Sequence, residues 1–362
     1  MSPHQPSITG IGTVSPFGPL RGLIGQRKTE PRTVTAWPTD GARRAFLVEP
    51  FRPTDAVPGL KTRRLDRLSV WCLVATALAL ADARLDLNGE NRSRIAVVLG
   101  TGFGCIELTE AFLQSAAANG YAQADPIIFP ETLTNAPAAH VARIFGIRGP
   151  NITLSHKGLS GEGALMQAAS LLRGGQADVA IVLAGDTLTR TMYEWFEAAG
   201  VLSSAASGAA PAPAPFSPER DGFVPGESAT AVVMESADRA RSRGASVYAT
   251  FRAGFMASDP RAGASVTRRA LASSSPSNVR MVVASANGSV ALDELEGTTI
   301  REVFGGEAPV IAPKSFLGES DSCGILRLIV ALSWADNNAR PLAMLLGTSL
   351  AGGCAALSFE LP

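Results

Sequence analysis

A glycine occupies the position in this chain best suited to nucleophilic chemistry. The segment Gly149–Gly161 reads GPNITLSHKGLSG. It follows a helical stretch ending near Ile147, crosses a short β-rich run at Ile152–Leu154, and enters an Ala/Leu-rich helix over Ala164–Leu172. A strand that turns tightly into a helix presents one side chain at the helix N-terminus, where aligned peptide dipoles favour an anion. A thiol or hydroxyl held there is an activated nucleophile. The turn residue here is Gly158, which has no attacking atom. His156 beside it is expected to be a packed or hydrogen-bonded residue rather than half of a His–Lys acid/base pair with Lys157. Ser155 and Ser160 lie off the apex of the turn. Taken alone, Gly158 is an ordinary tight-turn glycine.

The elements that must carry this turn are legible in the pattern. Strand-like runs at Val97–Leu99 and Ala180–Ala184 alternate with Ala/Leu-rich helices, the signature of a parallel α/β sheet. A second set begins around Ala249. It includes Met281–Ser285, a helix over Gly324–Trp334 and a strand-like run at Ala355–Glu360. The chain therefore divides into halves at 1–240 and 241–362, with the boundary near Arg241–Ala245. The apolar stretch Ser69–Ala81 stops at Asp82, too short to span a bilayer, and is expected to be a buried helix. The Ser/Ala/Pro-rich stretch 203–215 is expected to be a mobile surface loop.

Composition bounds the function classes. A chain of 362 residues with 46% hydrophobic content can bury a large core. Thirty-two basic against 32 acidic residues argue against nucleic acid as the main partner. Cys72, Cys105, Cys323 and Cys354 are too scattered for a disulfide framework or a zinc site, so no metal is expected. The N-terminus lacks the basic-then-apolar order of a signal peptide, and a cytoplasmic location off the membrane is expected.

The wider sequence changes the reading of Gly158. Gly149–Gly161 resembles the active-site elbow of the β-ketoacyl-acyl-carrier-protein synthases of the thiolase superfamily, roughly GP-x5-TACSSG, with Gly158 at the cysteine. Ser7–Gly18 (SITGIGTVSPFG) resembles the family's opening strand and turn, and Arg94–Gly104 its central strand. Pro126–His140 is similar to its PxxxPxxxxNxxAxH stretch, and Asp178–Asp186 to the strand before its cover loops. The most specific piece is Pro215–Ala229, PFSPERDGFVPGESA, close to the family's PFDxxRDGFVxGEGA. The first catalytic histidine of the family falls on Asn287, within Ala284–Glu296, where Asp293 and Glu296 match if the intervening loop is shortened. The second, in KSxxGH, falls on Glu319, with Lys314, Ser315 and Gly318 retained. The gating phenylalanine of NSFGFGGTN falls on Ala351.

The resemblance implies an α/β, thiolase-like duplicated αβαβα layered fold without cofactor, and a site whose four chemical positions are all changed. Condensation needs a thiolate to carry the acyl chain and neutral imidazoles to hold an enolate. Gly158 cannot form the thioester, and an ionised Glu319 repels an enolate. Among relatives, the description that fits is the chain length factor of type II polyketide systems, and the expected kind is the reducing, polyene-forming one. It pairs with a catalytic ketosynthase and lines the tunnel for a chain carried by acyl carrier protein. Such a subunit would have no catalysis of its own. The resemblance puts Phe103, Glu107, Leu108, Ala111 and Phe112 at the tunnel, and Phe129, Thr132 and Leu133 at the partner contact. Within the basic run Lys61, Arg63, Arg64 and Arg67, it assigns Arg63 and Arg64 to carrier docking. A salt bridge between Lys314 and Glu319 is expected to replace the lost site, and His140 is expected to be structural. Segments between Asp259 and Arg280 and after Ala335 are curtailed relative to the family. Two other functions remain open at this stage: an active malonyl decarboxylase or acyltransferase with an unusual nucleophile, and a non-catalytic homodimer that binds acyl chains.

Overall fold

The structure, a computed structural model, describes residues 5–23, 34–36, 43–207, 214–274, 279–305, 308–334, 342–349 and 353–362. Its first set of elements runs β1 (Pro6–Ser15), β2 (Gly18–Arg21), β3 (Val34–Thr35), β4 (Arg44–Ala45), α1 (Arg67–Ala83), β5 (Ile95–Gly100), α2 (Ile106–Asn119), α3 (Ala136–Phe145), β6 (Asn151–Leu154), α4 (Ser160–Arg173), β7 (Val179–Asp186), α5 (Arg190–Ala198), β8 (Ser228–Ser236) and α6 (Ala237–Ser242). The second runs β9 (Ala249–Ala257), α7 (Gly263–Ala272), β10 (Val279–Val283), α8 (Val290–Phe304), β11 (Val310–Ile311), α9 (Lys314–Leu317), α10 (Gly324–Trp334), β12 (Leu342–Ser349) and β13 (Gly353–Glu360).

The two sets build the same sheet twice. Strand order is β6-β5-β7-β8-β1 in one and β11-β10-β12-β13-β9 in the other. In each, the first two junctions are parallel and the last two antiparallel. The sheets meet along a short seam where Ser7 pairs with Thr250 and Ile8 with Ala249. Every central strand is buried on both faces, which is why these segments are continuously apolar. Along β5, Ala96 and Val98 enter one core cluster, while Ile95, Val97 and Leu99 enter another. The first cluster holds α4 and α10 between the sheets, the second packs α1 and α3 outside, and a third packs α7 and α8 on the opposite outer face. Helices and sheets thus alternate in five layers, the thiolase-like duplicated αβαβα fold.

Local chemistry explains the tightest contact. Asp66 caps α1 by accepting from the Leu68 N–H at 2.9 Å. The helix then lies so close to β1 that a Cβ on Gly12 would sit 2.1 Å from the Ala75 carbonyl oxygen. Only glycine permits that approach.

Two expectations need correction or restriction. The start of the 203–215 stretch is not a surface loop: Ser204–Ser207 form a 3-10 turn, and Ser203, Ala205 and Ala206 are buried. There the Ser203 hydroxyl donates to Asp221 at 2.5 Å, and Ala205 and Ala206 join a small apolar cluster. Residues 208–213, the segment 335–341 and Ala351 lie outside the described residues. The compact segment after Asp259 contains a 3-10 turn and α7 before β10 begins. No described helix is long and apolar enough to cross a membrane.

Candidate functional site

Strand β6 delivers the chain to the turn Lys157–Leu159, which leads into α4. The left-handed conformation in this elbow belongs to Lys157, at φ 51°, and not to Gly158. A Cβ on Gly158 would lie 3.3 Å from the Cβ and Oγ of Ser349, a contact that a small shift relieves. Neither backbone conformation nor a fixed obstacle therefore demands glycine at the apex. Ser160 is buried and committed to the turn: its hydroxyl donates to the Lys157 carbonyl at 2.7 Å and accepts the His156 N–H at 3.0 Å. Ser155 and His156 are exposed.

Asn287 lies in the connection from β10 to α8. Two buried carboxylates of α8 hold that connection. Asp293 accepts the Asn287 N–H at 3.0 Å, and Glu296 accepts the Ser285 N–H at 2.9 Å and the Ala286 N–H at 2.6 Å. Burial pushes the Glu296 carboxyl up against these hydrogen bonds. The amide Nδ2 of Asn287 donates to Glu319.

Glu319 follows α9 and is stitched to the strongly matched 215–229 run. Its N–H donates to the Val224 carbonyl at 2.8 Å, and its carbonyl accepts the Gly226 N–H at 2.8 Å. Its carboxylate receives the Lys314 ammonium on both oxygens, at 2.7 and 2.8 Å. Burial works to lower the Lys314 pKa, but Glu319 outweighs it and the pKa ends above the usual lysine value. The expected ion pair is thus present and fully engaged.

Two further acids stand beside it. Asp186, at the end of β7, is buried and accepts from the hydroxyls of Thr101 at 2.7 Å and Ser322 at 2.6 Å and from the Phe103 N–H at 2.9 Å. Burial raises its pKa against those bonds. Asp321 has no hydrogen bond or ion pair among the described residues. Burial, with Asp186 and Glu319 nearby, raises its pKa to about 7. Across the site, the Lys157 ammonium sits 5.0 Å from the Phe103 ring centroid.

Gly158, Asn287 and Glu319 line one cavity of about 250 Å³, together with Lys314, Asp186 and Asp321. Among the described residues, its lining contains no cysteine and no histidine. All four cysteines are buried, and burial raises the pKa of each thiol, so none supplies a thiolate to the site. The opposite wall is apolar: Met192, Trp195, Phe196 and Ala199, with Phe223 and Leu292. Sequence reasoning passed over this α5 wall. Its signal is the spacing of those first four residues at i, i+3, i+4 and i+7, one face of a helix. Among the described residues, no group of three His, Cys, Asp or Glu side chains is arranged to hold a metal ion.

The remaining predicted positions are distributed around this centre. Phe103 lines the central cavity, whereas Glu107 and Ala111 line a second one of about 330 Å³ with Arg67 and Arg190. Leu108 donates its N–H to Asp66 at 3.1 Å, and Phe112 packs on Phe129 with centroids 5.7 Å apart. The five α2-region positions therefore do not share one cavity. Phe129 and Leu133 are exposed, while Thr132 is half-buried and its carbonyl accepts from Thr109 at 3.2 Å. Lys61, Arg63 and Arg64 are exposed. Arg67 instead turns inward, to Glu107 at 2.6 Å and Glu227 at 3.0 Å, with its guanidinium over the Trp71 ring. His140 is buried between Glu131 at 2.6 Å and Arg143 at 3.0 Å, a structural network away from the cavity.

Comparison with known proteins gives a consistent family. Residues 13–240 match the Beta-ketoacyl synthase, N-terminal domain, and residues 240–340 the Beta-ketoacyl synthase, C-terminal domain. The 3-oxoacyl-acyl-carrier-protein synthase 2 of Vibrio cholerae serotype O1 is 31% identical over 259 residues, 69% of this chain and 62% of that protein. The match thus spans less than two thirds of that relative's length. Among solved structures, the ishigamide ketosynthase/chain length factor superposes with a TM-score of 0.86 at 21% identity, covering 99% of each chain. A type II PKS acyl-carrier protein in complex with its ketosynthase bound to the hexaketide gives 0.84 at 21% identity over 100% of each chain. At these identities the structural likeness concerns the fold.

Proposed function

This chain belongs to the beta-ketoacyl synthase family, and on that premise we propose that it is a non-catalytic subunit of the chain-length-factor kind. It pairs with a catalytic ketosynthase and forms part of the wall around a growing polyketide chain. One observation carries the reading: the three described positions that would hold nucleophile and imidazoles converge on one cavity as Gly158, Asn287 and Glu319. The losses are chemically complete. No thioester can form at Gly158. The amide of Asn287 is spent on Glu319, and the Glu319 carboxylate opposes any enolate formed beside it. The fit of the fold to a ketosynthase/chain length factor supports the same reading.

The surface supplies the second support. Leu113, Ile127, Phe129 and Leu133 are 52, 57, 52 and 45% exposed, so large apolar side chains cluster on and after α2. Such a cluster marks an association surface. In this reading Phe129, Thr132 and Leu133 contact the ketosynthase, and Phe103, Glu107, Leu108, Ala111 and Phe112 face the tunnel that the partner completes. Arg63 and Arg64 offer positive charge to the acyl carrier protein. The halves 1–240 and 241–362 act as one cytoplasmic unit, and glycine rather than glutamine at the apex, with the curtailed segments, suits the reducing, polyene-forming systems.

Co-expression with a catalytic ketosynthase encoded beside it tests the reading. The expected outcome is a 1:1 complex on size-exclusion chromatography, with the chain alone releasing no carbon dioxide from malonyl-carrier protein. A stable homodimer that ignores the ketosynthase, or decarboxylation by the chain alone, rejects it.

A further inference from the structure

The condensing chemistry is gone, yet the cavity that housed it has not been filled. Its lining is mixed in a specific way. The α5 wall is apolar, with Met192 and Phe196 inside and Trp195, 62% exposed, and the exposed Ala199 at the mouth. Against it stand two hydroxyls with nothing to bond. Thr187 is 1% exposed and Ser320 8% exposed, both line the cavity, and neither side-chain oxygen has a hydrogen-bond partner among the described residues. Buried polar atoms left unpaired are destabilising, so a protein that keeps two of them at a cavity wall keeps them for something that enters.

The charges beside them select the visitor. The Glu319 carboxylate is neutralised by Lys314 and carries Asn287 as well. Asp186 is saturated by its own donors. Lys157 faces the Phe103 ring and the Gly102 carbonyl. The group left unengaged is the Asp321 carboxyl, an acceptor in an apolar setting. We infer that the cavity is a ligand site for an amphiphile with an aliphatic body against α5 and a donor head at Thr187, Ser320 and Asp321, best matched by an aliphatic primary amine. An anionic head is disfavoured there, because it would face Asp321 and Asp186 while the Lys314 ammonium is held by Glu319 and the Lys157 ammonium lies against the Phe103 ring. This site needs no partner subunit and differs from an acyl-thioester pocket in preferring a cationic head to a neutral one.

The test is a tryptophan-fluorescence titration of the purified full-length chain at pH 8 with octylamine, octanamide and octanoate, repeated in Trp195→Phe to assign the signal. Octylamine is expected to saturate the signal and to bind at least tenfold tighter than octanoate. Asp321→Asn should weaken octylamine about tenfold and leave octanamide within twofold. Ala199→Phe, at the exposed end of α5, should abolish binding of all three without a change in melting temperature, and it keeps the test decisive if Asp321→Asn does not fold. Equal or tighter binding of octanoate overturns the inference, as does absence of saturation by octylamine, the result expected of a cavity that holds only water. None of these outcomes depends on pairing with a ketosynthase, so a failure here leaves the co-expression result standing.

Discussion

The cavity floor and the surface after α2 are opposites. At the floor, the ionised pair is closed on itself: Lys314, Glu319 and Asn287 bond one another, and α8 holds the backbone beneath them with Asp293 and Glu296. On the surface, Leu113, Ile127, Phe129 and Leu133 leave apolar area open to water. An active condensing site would show the reverse at its floor, with reactive groups held available for substrate. Here chemistry has been turned inward and completed, while the unsatisfied surface lies outside. On the reading proposed above, this difference goes with a chain that works through association rather than turnover.

The comparison breaks most severely if the floor is opened. Lys314→Met leaves the Glu319 carboxylate buried without a cation, and a cost of about 3–5 kcal/mol is expected in chemical denaturation. The double variant Lys314→Met/Glu319→Gln should recover most of it, since it removes both charges. Unchanged stability in the single variant would show that the pair is not what holds the floor.

The surface is tested next. Phe129→Asp combined with Leu133→Asp should weaken binding of the ketosynthase subunit at least a hundredfold by calorimetry, with the melting temperature of the isolated chain unchanged. Retained affinity would move the interface elsewhere.

Between floor and solvent, Asp321 sharpens the contrast through pH. Its folded pKa, about 7, lies above the ordinary 3.8. The folded chain therefore holds a proton that the unfolded chain has lost. Its contribution to stability is present below pH 3.8 and falls as pH rises towards 7. Urea unfolding at pH 5, 6 and 7 should show Asp321→Asn removing a downward slope of about one proton, and an unchanged slope would count against it.

The smallest effect belongs to the apex. Gly158→Cys should cost about 1 kcal/mol, since Ser349 needs to yield only slightly. The variant should be alkylated by iodoacetamide, as read by mass spectrometry, and still fail to condense acyl and malonyl groups while Asn287 and Glu319 remain. Condensation restored by this one change would mean that the other two losses are incidental.

The fold and the altered chemical positions were legible because both depend on local strings. The run at 215–229, the elbow at 149–161 and the ends of the buried strands each keep recognisable order. The Lys314–Glu319 contact was also foreseeable, as the two residues are one short helix apart. What escaped depends on residues brought together from afar. Arg67 read as part of a solvated basic run, but Glu107 and Glu227 draw it inward across the fold. The α5 stripe has the spacing of any buried helix face, and only the folded chain shows that Met192 and Phe196 line a cavity. Ser203–Ala206 looked like low-complexity loop, yet the Asp221 carboxylate holds it down.

Glu319 has one more consequence, which concerns mechanics rather than chemistry. The two sheets share only a short seam at Ser7–Ile8, so little backbone pairing fixes one half against the other. Glu319 belongs to the second half, and its main chain pairs with Val224 and Gly226 of the first. Its side chain is then locked by Lys314 and Asn287 of its own half. A position that the family resemblance gives to an enolate-holding imidazole serves here as a rivet. It adds a backbone tie between the halves to the apolar core that α4 and α10 already share between the sheets.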